Sequence, residues 1–247
     1  DALETYLEKH REVGAMCVSR PTNPTGNVLT NDEIRHLSAL AYKYNIPLFV
    51  DNAYGLPFPN IIFTEDAKPY WDSSVILSMS LSKIGLPSLR TGIVVAKPEL
   101  IKALASVNSI VALASGSLGQ VISQDLFATG KMKTLAESYV RPFYQQKSLF
   151  AQSCFKEFFA GTNYSVHKSE GAIFNWILMN DLKIPTKELY VKLKDQGVIT
   201  VPGEYFFFGT PEHEHYDKCL RINYSRPEDE VREGIRIIAK TYKKFCK

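Results

Sequence analysis

Residues 45–55 read Asn-Ile-Pro-Leu-Phe-Val-Asp-Asn-Ala-Tyr-Gly, a short apolar run that ends abruptly at the carboxylate of Asp51. A run of this length, bounded by turn-forming residues, is typical of a buried β-strand. A helix is predicted before it, because Thr30 and Glu33 have the spacing of a capping box. The apolar residues behind this box fall on one helical face, namely Ile34, Leu37, Ala41 and Tyr44. The stretch therefore predicts a helix followed by a buried strand.

Three further apolar runs extend this pattern along the first half of the chain. They are Ala15–Ser19, Val75–Leu77 with an end near Ser80, and Gly92–Ala96, which a helix from about Pro98 follows. Apolar strands that alternate with amphipathic helices are typical of a mostly parallel sheet with helices on both faces. The fold class predicted for residues 1–147 is therefore α/β, with a mainly parallel sheet flanked by helices.

The second half has a different pattern, which predicts a smaller α+β domain over residues 148–247. A long helix is expected from about Met132 towards Phe159, with a kink at Pro142. The predicted elements after it are strands at Ala172–Met179 and Leu220–Tyr224, a helix from Thr186 to Gly197, and a last helix with Ser225 and Glu228 as its capping box.

Composition narrows the class of protein. Hydrophobic residues make up 45% of the 247 residues and charged residues 22%, which excludes disordered and collagen-like chains. The net charge is +3 without a basic block, so neither nucleic acid nor a membrane surface is an expected partner. No apolar run reaches the ~18 residues of a membrane helix. The four cysteines lie far apart, and we interpret them as reduced thiols of a cytoplasmic protein.

Polar side chains capable of chemistry follow three of the predicted strands. Asn23 lies in the turn after the first strand, Asp51 ends the second, and Ser80, Ser82 and Lys83 follow the third. In open α/β sheets, ligands bind at the carboxyl ends of the strands. Each residue alone also fits a structural role, since Asp51 could cap a helix and Lys83 could be a solvated surface lysine. Their combination on loops of one sheet edge favours a binding site.

Two other groups of residues receive a structural interpretation. The sequence His213-Glu214-His215 falls in a loop without a third spaced ligand, so no metal site is predicted there. For the three consecutive phenylalanines at 206–208, packing in the core is favoured over lining of a substrate entrance.

Five short motifs follow one another along the chain. They are Ser-Arg-Pro-Thr-Asn-Pro-Thr-Gly (19–26), Val-Asp-Asn-Ala-Tyr (50–54), Ser-Leu-Ser-Lys (80–83), Arg-Thr-Gly (90–92) and Leu-Arg-Ile-Asn-Tyr (220–224). In this order they resemble the signature series of the fold-type I, class I and II aminotransferases, which use pyridoxal 5′-phosphate (PLP). Three longer strings, at 51–59, 78–87 and 170–176, are most similar to family members that act on valine and pyruvate.

The resemblance implies a role for each residue that would hold the cofactor ring. Lys83 would bind PLP covalently and then move a proton between the substrate Cα and the cofactor, for which its amine must be unprotonated. Asp51 would pair with the pyridinium nitrogen, since protonation of that nitrogen makes the ring an electron sink. Tyr54 and Asn23 would hydrogen-bond the 3′-oxygen of the cofactor.

The same resemblance implies which residues bind the phosphate and the substrate. Ser80 and Arg90, with Ser82, would bind the phosphate, because a planar guanidinium can hold two oxygens at once. Arg221 would bind the substrate carboxylate in the same way, and Asn23 would also contact the substrate. The implied reaction moves an amino group between a valine- or alanine-like amino acid and a 2-oxo acid such as pyruvate, in a cytoplasmic homodimer.

The chain is shorter than the family members that it resembles, which affects the activity expected of it. The chain begins with Asp1 rather than Met, and the family members that it resembles are much longer, mostly ahead of the Asn-Pro-Thr-Gly turn. We therefore expect a C-terminal portion that is inactive alone. Two other hypotheses stay open, a non-catalytic regulatory fragment and a PLP-dependent carbon–sulfur lyase, which would share Asn23, Asp51, Tyr54, Lys83 and Arg221.

Overall fold

Four short strands form the first sheet of the computed structural model, which describes residues 2–246. Their spatial order is β1 (Met16–Ser19), β2 (Leu48–Asp51), β3 (Val75–Ser80) and β4 (Gly92–Val95). The first three strands run parallel to one another, whereas β4 is antiparallel to β3. The prediction of a mainly parallel sheet is confirmed, and the carboxyl ends of β1, β2 and β3 therefore share one edge.

The helices of this part are α1 (Ala2–Lys9), α2 (Asn31–Tyr44), α3 (Pro98–Ala112), α4 (Leu118–Ala128) and α5 (Lys131–Leu135). The helices predicted behind Thr30, from about Pro98 and from about Met132 begin within one residue of those positions as α2, α3 and α5, whereas α1 and α4 were not predicted. The capping box of α2 is confirmed, because Thr30 Oγ1 accepts from the backbone N–H of Glu33 at 3.2 Å and the Glu33 carboxylate accepts from the N–H of Thr30 at 2.7 Å. Both donors would otherwise lack an intrahelical partner.

The main core of this part lies between the helices α1 and α2 and one face of the sheet. Strand β2 shows the alternation that this packing requires, with Leu48 and Val50 buried and Phe49 and Asp51 exposed. Full burial of one such aliphatic side chain contributes about 1.5–3 kcal/mol. The buried residues of this cluster are Leu7, Met16, Leu40, Ala41, Leu48, Val50 and Val75.

Helix α3 leaves much of its apolar surface in contact with solvent. Val107, Ile110 and Val111 are all exposed, Ile110 by 83%, and α3 contains no buried residue. Contiguous apolar surface of this kind is typical of an interaction face. Among residues 2–246, no helix combines the length and apolar character needed to cross a membrane.

Contacts between residues divide the chain into two compact units. Of the described residues, the first unit contains 2–22 together with 28–141, and the second contains 23–27 together with 142–246. The predicted domain boundary between residues 147 and 148 lies a few residues farther along, inside helix α6 (Arg141–Phe158), and stays a prediction. A π-helical turn at Ala136–Val140 stands immediately before α6, and the kink predicted at Pro142 stays a prediction.

The second unit contains an antiparallel sheet covered by helices. Its spatial order is β5 (Tyr164–Val166), β6 (Phe174–Met179), β8 (Cys219–Asn223) and β7 (Val201–Pro202). Helices α7 (Thr186–Lys194) and α8 (Glu228–Tyr242) complete it together with α6. The apolar face predicted for α8 is confirmed as part of the core, with Val231, Ile235, Ile238 and Tyr242 buried.

The capping box predicted for α8 is wrong. The helix begins at Glu228 with Pro227 at the capping position, and no side chain caps it. Ser225 is engaged elsewhere, because its backbone N–H and its hydroxyl both donate to Asn223 Oδ1, at 2.7 and 2.6 Å. Three acidic residues in the first turn interact favourably with the helix dipole instead, namely Glu228, Asp229 and Glu230.

A carboxylate outside the candidate site fastens α2 to the segment before β3. Asp72 accepts hydrogen bonds from the hydroxyls of Ser38 and Tyr70 and from the backbone N–H and hydroxyl of Ser74, the last two at 2.8 and 2.6 Å. Burial disfavours the ionised form, but the donors of Ser38, Ser74 and Tyr70 outweigh it and lower the pKa of Asp72 from 3.8 to about 2. The ionised carboxylate therefore stabilises the folded state.

We expect Asp72→Asn to reduce the free energy of unfolding, and to do so in a pH-dependent way. Because the folded-state pKa lies below the unfolded value, the stabilisation is complete above about pH 5 and is lost as the pH falls towards 2. The difference between wild type and variant should therefore shrink over this range in urea denaturation curves. Asp66→Asn, at an exposed loop carboxylate, is the matched control. If the difference in free energy of unfolding between wild type and Asp72→Asn does not change with pH, the role assigned to Asp72 is contradicted.

Candidate active site

The carboxyl edge of the parallel strands carries the first two candidate residues. Asp51 is the last residue of β2 and lies opposite Ser78 of β3 in the register of the sheet. The Asp51 carboxylate accepts from the backbone N–H of Ala53 at 3.1 Å and has the Ser78 hydroxyl 3.5 Å away. Ser78 was not among the predicted site residues. It lies on the same face of β3 as Ser80, because side chains two positions apart along a strand point to the same side. Only the pairing register of β2 and β3 makes it a neighbour of Asp51.

Lys83 follows β3 directly, on a short 3₁₀ turn from Leu81 to Lys83. The Ser80 hydroxyl caps this turn by accepting from the backbone N–H of Ser82 at 3.1 Å, and the fully buried side chain of Leu81 anchors it. The Nζ atom of Lys83 lies 5.5 Å from the centre of the Tyr54 ring. The structure therefore brings Tyr54, which follows β2, and Lys83, which follows β3, together at this edge.

Arg90 lies just before β4, the strand that pairs with β3 at Ser80. A second 3₁₀ turn, Pro87–Leu89, ends at Arg90, whose φ of 47° is unusual for a residue other than glycine. Two residues later, Gly92 pairs with Ser80 in the sheet, and the backbone N–H of Leu81 donates to Thr91 O at 3.1 Å. Ser80 ends β3, Ser82 follows it and Arg90 precedes β4, so the two serines and the arginine predicted to bind phosphate lie at the same edge of the sheet.

Helix α4 supports the Arg90 segment through a close approach at Gly119. A Cβ atom on Gly119 would lie 1.9 Å from Thr91 Oγ1, so a larger residue would displace the threonine. Thr91 Oγ1 in turn donates to Leu89 O at 2.9 Å, which ties the residues on both sides of Arg90 together. Gly119 is therefore required by packing.

The second unit holds the remaining two candidates, Asn23 and Arg221. Asn23 Oδ1 accepts a hydrogen bond from Arg221 Nη1 at 2.7 Å, although the two residues are 198 positions apart in the sequence. The turn that carries Asn23 is tied to the same unit, because the N–H of Glu170 donates to Gly26 O at 3.0 Å. Gly26 has a φ of 74°, and a Cβ there would lie 2.9 Å from Gly171 O, so only glycine fits.

Aromatic side chains surround Arg221. Its guanidinium carbon lies 4.5 Å from the centre of the Phe174 ring and 5.2 Å from that of Phe206, and Trp176 is its partner on β6. Sequence analysis missed these contacts and expected Phe206–Phe208 to pack in the core. That expectation is wrong for Phe208, which is 87% exposed, while Phe206 is half-buried against Arg221.

Other reactive residues near Arg221 do not add to the site. Burial, helped by the charges of Glu204 and Asp217, raises the pKa of the Cys219 thiol to about 12, so the thiol stays protonated. His213 Nδ1 accepts from the backbone N–H of His215 at 3.1 Å within its own loop. Over residues 2–246 the structure contains no group of three His, Cys, Asp or Glu side chains placed to hold a metal ion.

Comparison with known proteins decides the family. The family model described as aminotransferase class I and II matches residues 1–238. The chain belongs to the class I and II aminotransferases. The family predicted from the five motifs is thereby confirmed, and members of this family depend on PLP.

Individual relatives show how much of such a protein the chain represents. Valine–pyruvate aminotransferase of Escherichia coli is 42% identical over 235 residues, which cover 95% of this chain and 56% of that protein. The crystal structure of valine–pyruvate aminotransferase from Salmonella typhimurium matches with a TM-score of 0.89 and 43% identity over 94% of this chain and 60% of that one. The crystal structure of the kynurenine aminotransferase of Pyrococcus horikoshii, solved in complex with PMP, matches with a TM-score of 0.81 and 25% identity. The match covers 98% of this chain and 60% of that one. The chain spans about half the length of the curated relatives it matches.

The side chains of the first unit fit PLP by their chemistry. A carboxylate at a strand end suits the protonated ring nitrogen, a neighbouring amine suits the aldehyde, and a phenol suits the ring oxygen. Two hydroxyls and a guanidinium suit a phosphate dianion. The residues concerned are Asp51, Lys83, Tyr54, Ser80, Ser82 and Arg90.

Proposed function

We propose that the protein containing this chain is a PLP-dependent aminotransferase that moves an amino group between a valine- or alanine-like amino acid and a 2-oxo acid such as pyruvate. The observation that carries the proposal is the position of Asp51 and Lys83 after neighbouring parallel strands, at one edge of the sheet. The similarity to two proteins named valine–pyruvate aminotransferase supports the substrate class.

In this proposal the cofactor is held at both ends and along its ring. Asp51 pairs with the ring nitrogen, and the N–H of Ala53 fixes one oxygen of its carboxylate. Tyr54 and Asn23 hydrogen-bond the ring oxygen. Bound PLP supplies an electron sink for the negative charge that develops at the substrate Cα. The phosphate is bound by Ser80, Ser82 and Arg90.

Lys83 has two functions in the proposed reaction. Its Nζ would bind the cofactor covalently between turnovers, and during turnover the same nitrogen would accept the proton of the substrate Cα and return it to the bound cofactor. The 3₁₀ turn that Ser80 caps holds Lys83 in place for both functions. The buried Leu81 fixes the other side of this turn.

Arg221 binds the substrate carboxylate in the proposed complex. Its guanidinium can donate two parallel hydrogen bonds, and a carboxylate has the matching pair of oxygens. The hydrogen bond to Asn23 fixes one side of the guanidinium and thereby its orientation. The family resemblance implies that Asn23 contacts the cofactor as well as the substrate.

The assembly and location of the protein are also proposals. The family resemblance supports a homodimer, and the exposed apolar side chains of α3 are available for an interface. We propose a cytoplasmic location, supported by four cysteines that are all free thiols. Small molecules, an amino acid and a 2-oxo acid, are the proposed partners.

The proposal is tested by following both products of the exchange. The protein that contains this chain, purified and supplied with PLP, valine and pyruvate, is expected to form one alanine for each 3-methyl-2-oxobutanoate, and neither product when one substrate is omitted. Chromatography of the reaction mixture measures both. Release of ammonia and pyruvate from cysteine-like substrates without a 2-oxo acid would show a carbon–sulfur lyase instead. A protein that shows no absorbance band of bound PLP would overturn both enzyme assignments.

A further inference from the structure

The guanidinium of Arg221 lies against two aromatic rings as well as the Asn23 amide. Phe174 and Phe206 come from different parts of the second unit, strand β6 and the 3₁₀ turn Gly203–Phe206 that follows β7. Their ring centres lie 4.5 and 5.2 Å from the guanidinium carbon. Trp176 packs edge-on against Phe206, with ring centres 5.5 Å apart and an interplanar angle of 89°. Phe206 is therefore itself held in place.

Such surroundings suit an arginine that must stay charged and keep one orientation. The negative face of an aromatic ring attracts a guanidinium, and the attraction increases when water is displaced. Arginine has a long, flexible side chain, and ordering it at the moment of binding costs rotamer entropy. Rings that hold the guanidinium beforehand remove part of that cost, as preorganisation does in general.

We propose that Phe206 is a positioning residue for carboxylate recognition, acting through Arg221. The inference rests on the proposed function, in which Arg221 binds the substrate carboxylate, and adds to it a side chain that has no polar group of its own. Phe174 shares the contact but is almost fully buried, so its replacement would also disturb the core. Phe206 is half-buried and can be varied more safely.

The test compares ring removal with ring retention in the PLP-loaded protein. Phe206→Leu keeps an apolar side chain and removes the ring, so KM for both valine and pyruvate is expected to rise about 3- to 30-fold, with a smaller change in kcat. Phe206→Tyr keeps the ring and is expected to restore KM to within about twofold of wild type. Phe208→Leu is the matched control, because the exposed Phe208 should leave both constants unchanged.

A binding measurement separates recognition from turnover. The Kd of 3-methylbutanoate, a branched carboxylate without an amino group, is measured by calorimetry and should rise by the same factor in Phe206→Leu. In an Arg221→Ala background, Phe206→Leu should cause no further rise, because its effect passes through the arginine. A melting temperature within the range of the control shows that the fold is intact.

The outcomes distinguish the inference from the function on which it rests. If Arg221→Ala weakens carboxylate binding and Phe206→Leu does not, Phe206 has no positioning role and the inference fails alone. If Phe206→Leu and Phe206→Tyr raise KM equally, the effect is one of shape and the ring is not responsible, which also overturns it. If Arg221→Ala leaves the Kd of 3-methylbutanoate unchanged, the carboxylate role of Arg221 in the proposed function is wrong.

Discussion

Replacement of Lys83 by alanine is expected to abolish amino-group exchange in the protein that contains this chain. The variant loses both the nitrogen that binds the cofactor and the base that moves the Cα proton. Proton transfer by a positioned side chain contributes typically 10²–10⁴-fold, so with the covalent function also lost we expect kcat to fall by about 10⁴-fold or more. Valine–pyruvate exchange under saturating PLP and substrates measures the loss.

Lys97 provides a matched control for Lys83. It is the next lysine along the chain, but it follows β4, which runs antiparallel to β3, and so lies at the opposite edge of the sheet. Lys97→Ala should therefore keep wild-type exchange. Borohydride reduction followed by peptide mapping should find the cofactor on Lys83 in the wild type and in Lys97→Ala, and nowhere in Lys83→Ala. Cofactor attached to another lysine, or exchange that persists in Lys83→Ala, would show that the active lysine is misassigned.

Arg221→Ala is expected to have the second largest effect, chiefly on KM. The variant loses two charge-assisted hydrogen bonds to the substrate carboxylate, each contributing roughly 1.5–3 kcal/mol. We expect kcat/KM for valine to fall by about 10²–10⁴-fold. Part of the loss should be in kcat, because the same contact orients the Cα–H bond for proton removal. Arg221→Lys, which keeps the charge but not the planar fork, should lie between wild type and Arg221→Ala.

If Arg221 binds the substrate carboxylate, its replacement should affect only substrates that have a carboxylate. Isobutylamine resembles valine without the carboxylate, and its slow reaction should be equally slow in wild type and in Arg221→Ala. Arg226→Ala, which removes an exposed arginine paired with Glu230 on the same unit, should leave kcat/KM unchanged. An equal loss for valine and isobutylamine would mean that Arg221 has a structural role rather than a role in carboxylate binding.

Interactions between near neighbours in the sequence were accessible without a structure. The capping box of Thr30 and Glu33 spans three positions, and the strand ends at Asp51 and Ser80 follow from a change of polarity within a few residues. The same kind of reasoning was wrong at Ser225, which also has an acidic residue three positions on. There the hydroxyl donates to Asn223 Oδ1 instead of capping the helix. A local turn and a helix cap can both use a serine at this spacing, so the sequence alone does not decide between them.

The sequence by itself determined the family, because five motifs in order carry that information without any coordinates. It also determined that Asp51 and Lys83 follow separate strands. Only the tertiary structure decided that β4 lies antiparallel beside β3. An apolar run in a sequence indicates a strand but not whether that strand runs parallel or antiparallel to its neighbour. Likewise only the fold brings Asn23 and Phe206 to Arg221, or Ser78 to Asp51. These contacts join residues from 15 to 198 positions apart, and chain folding and strand register, rather than local propensity, decide which of many distant side chains meet.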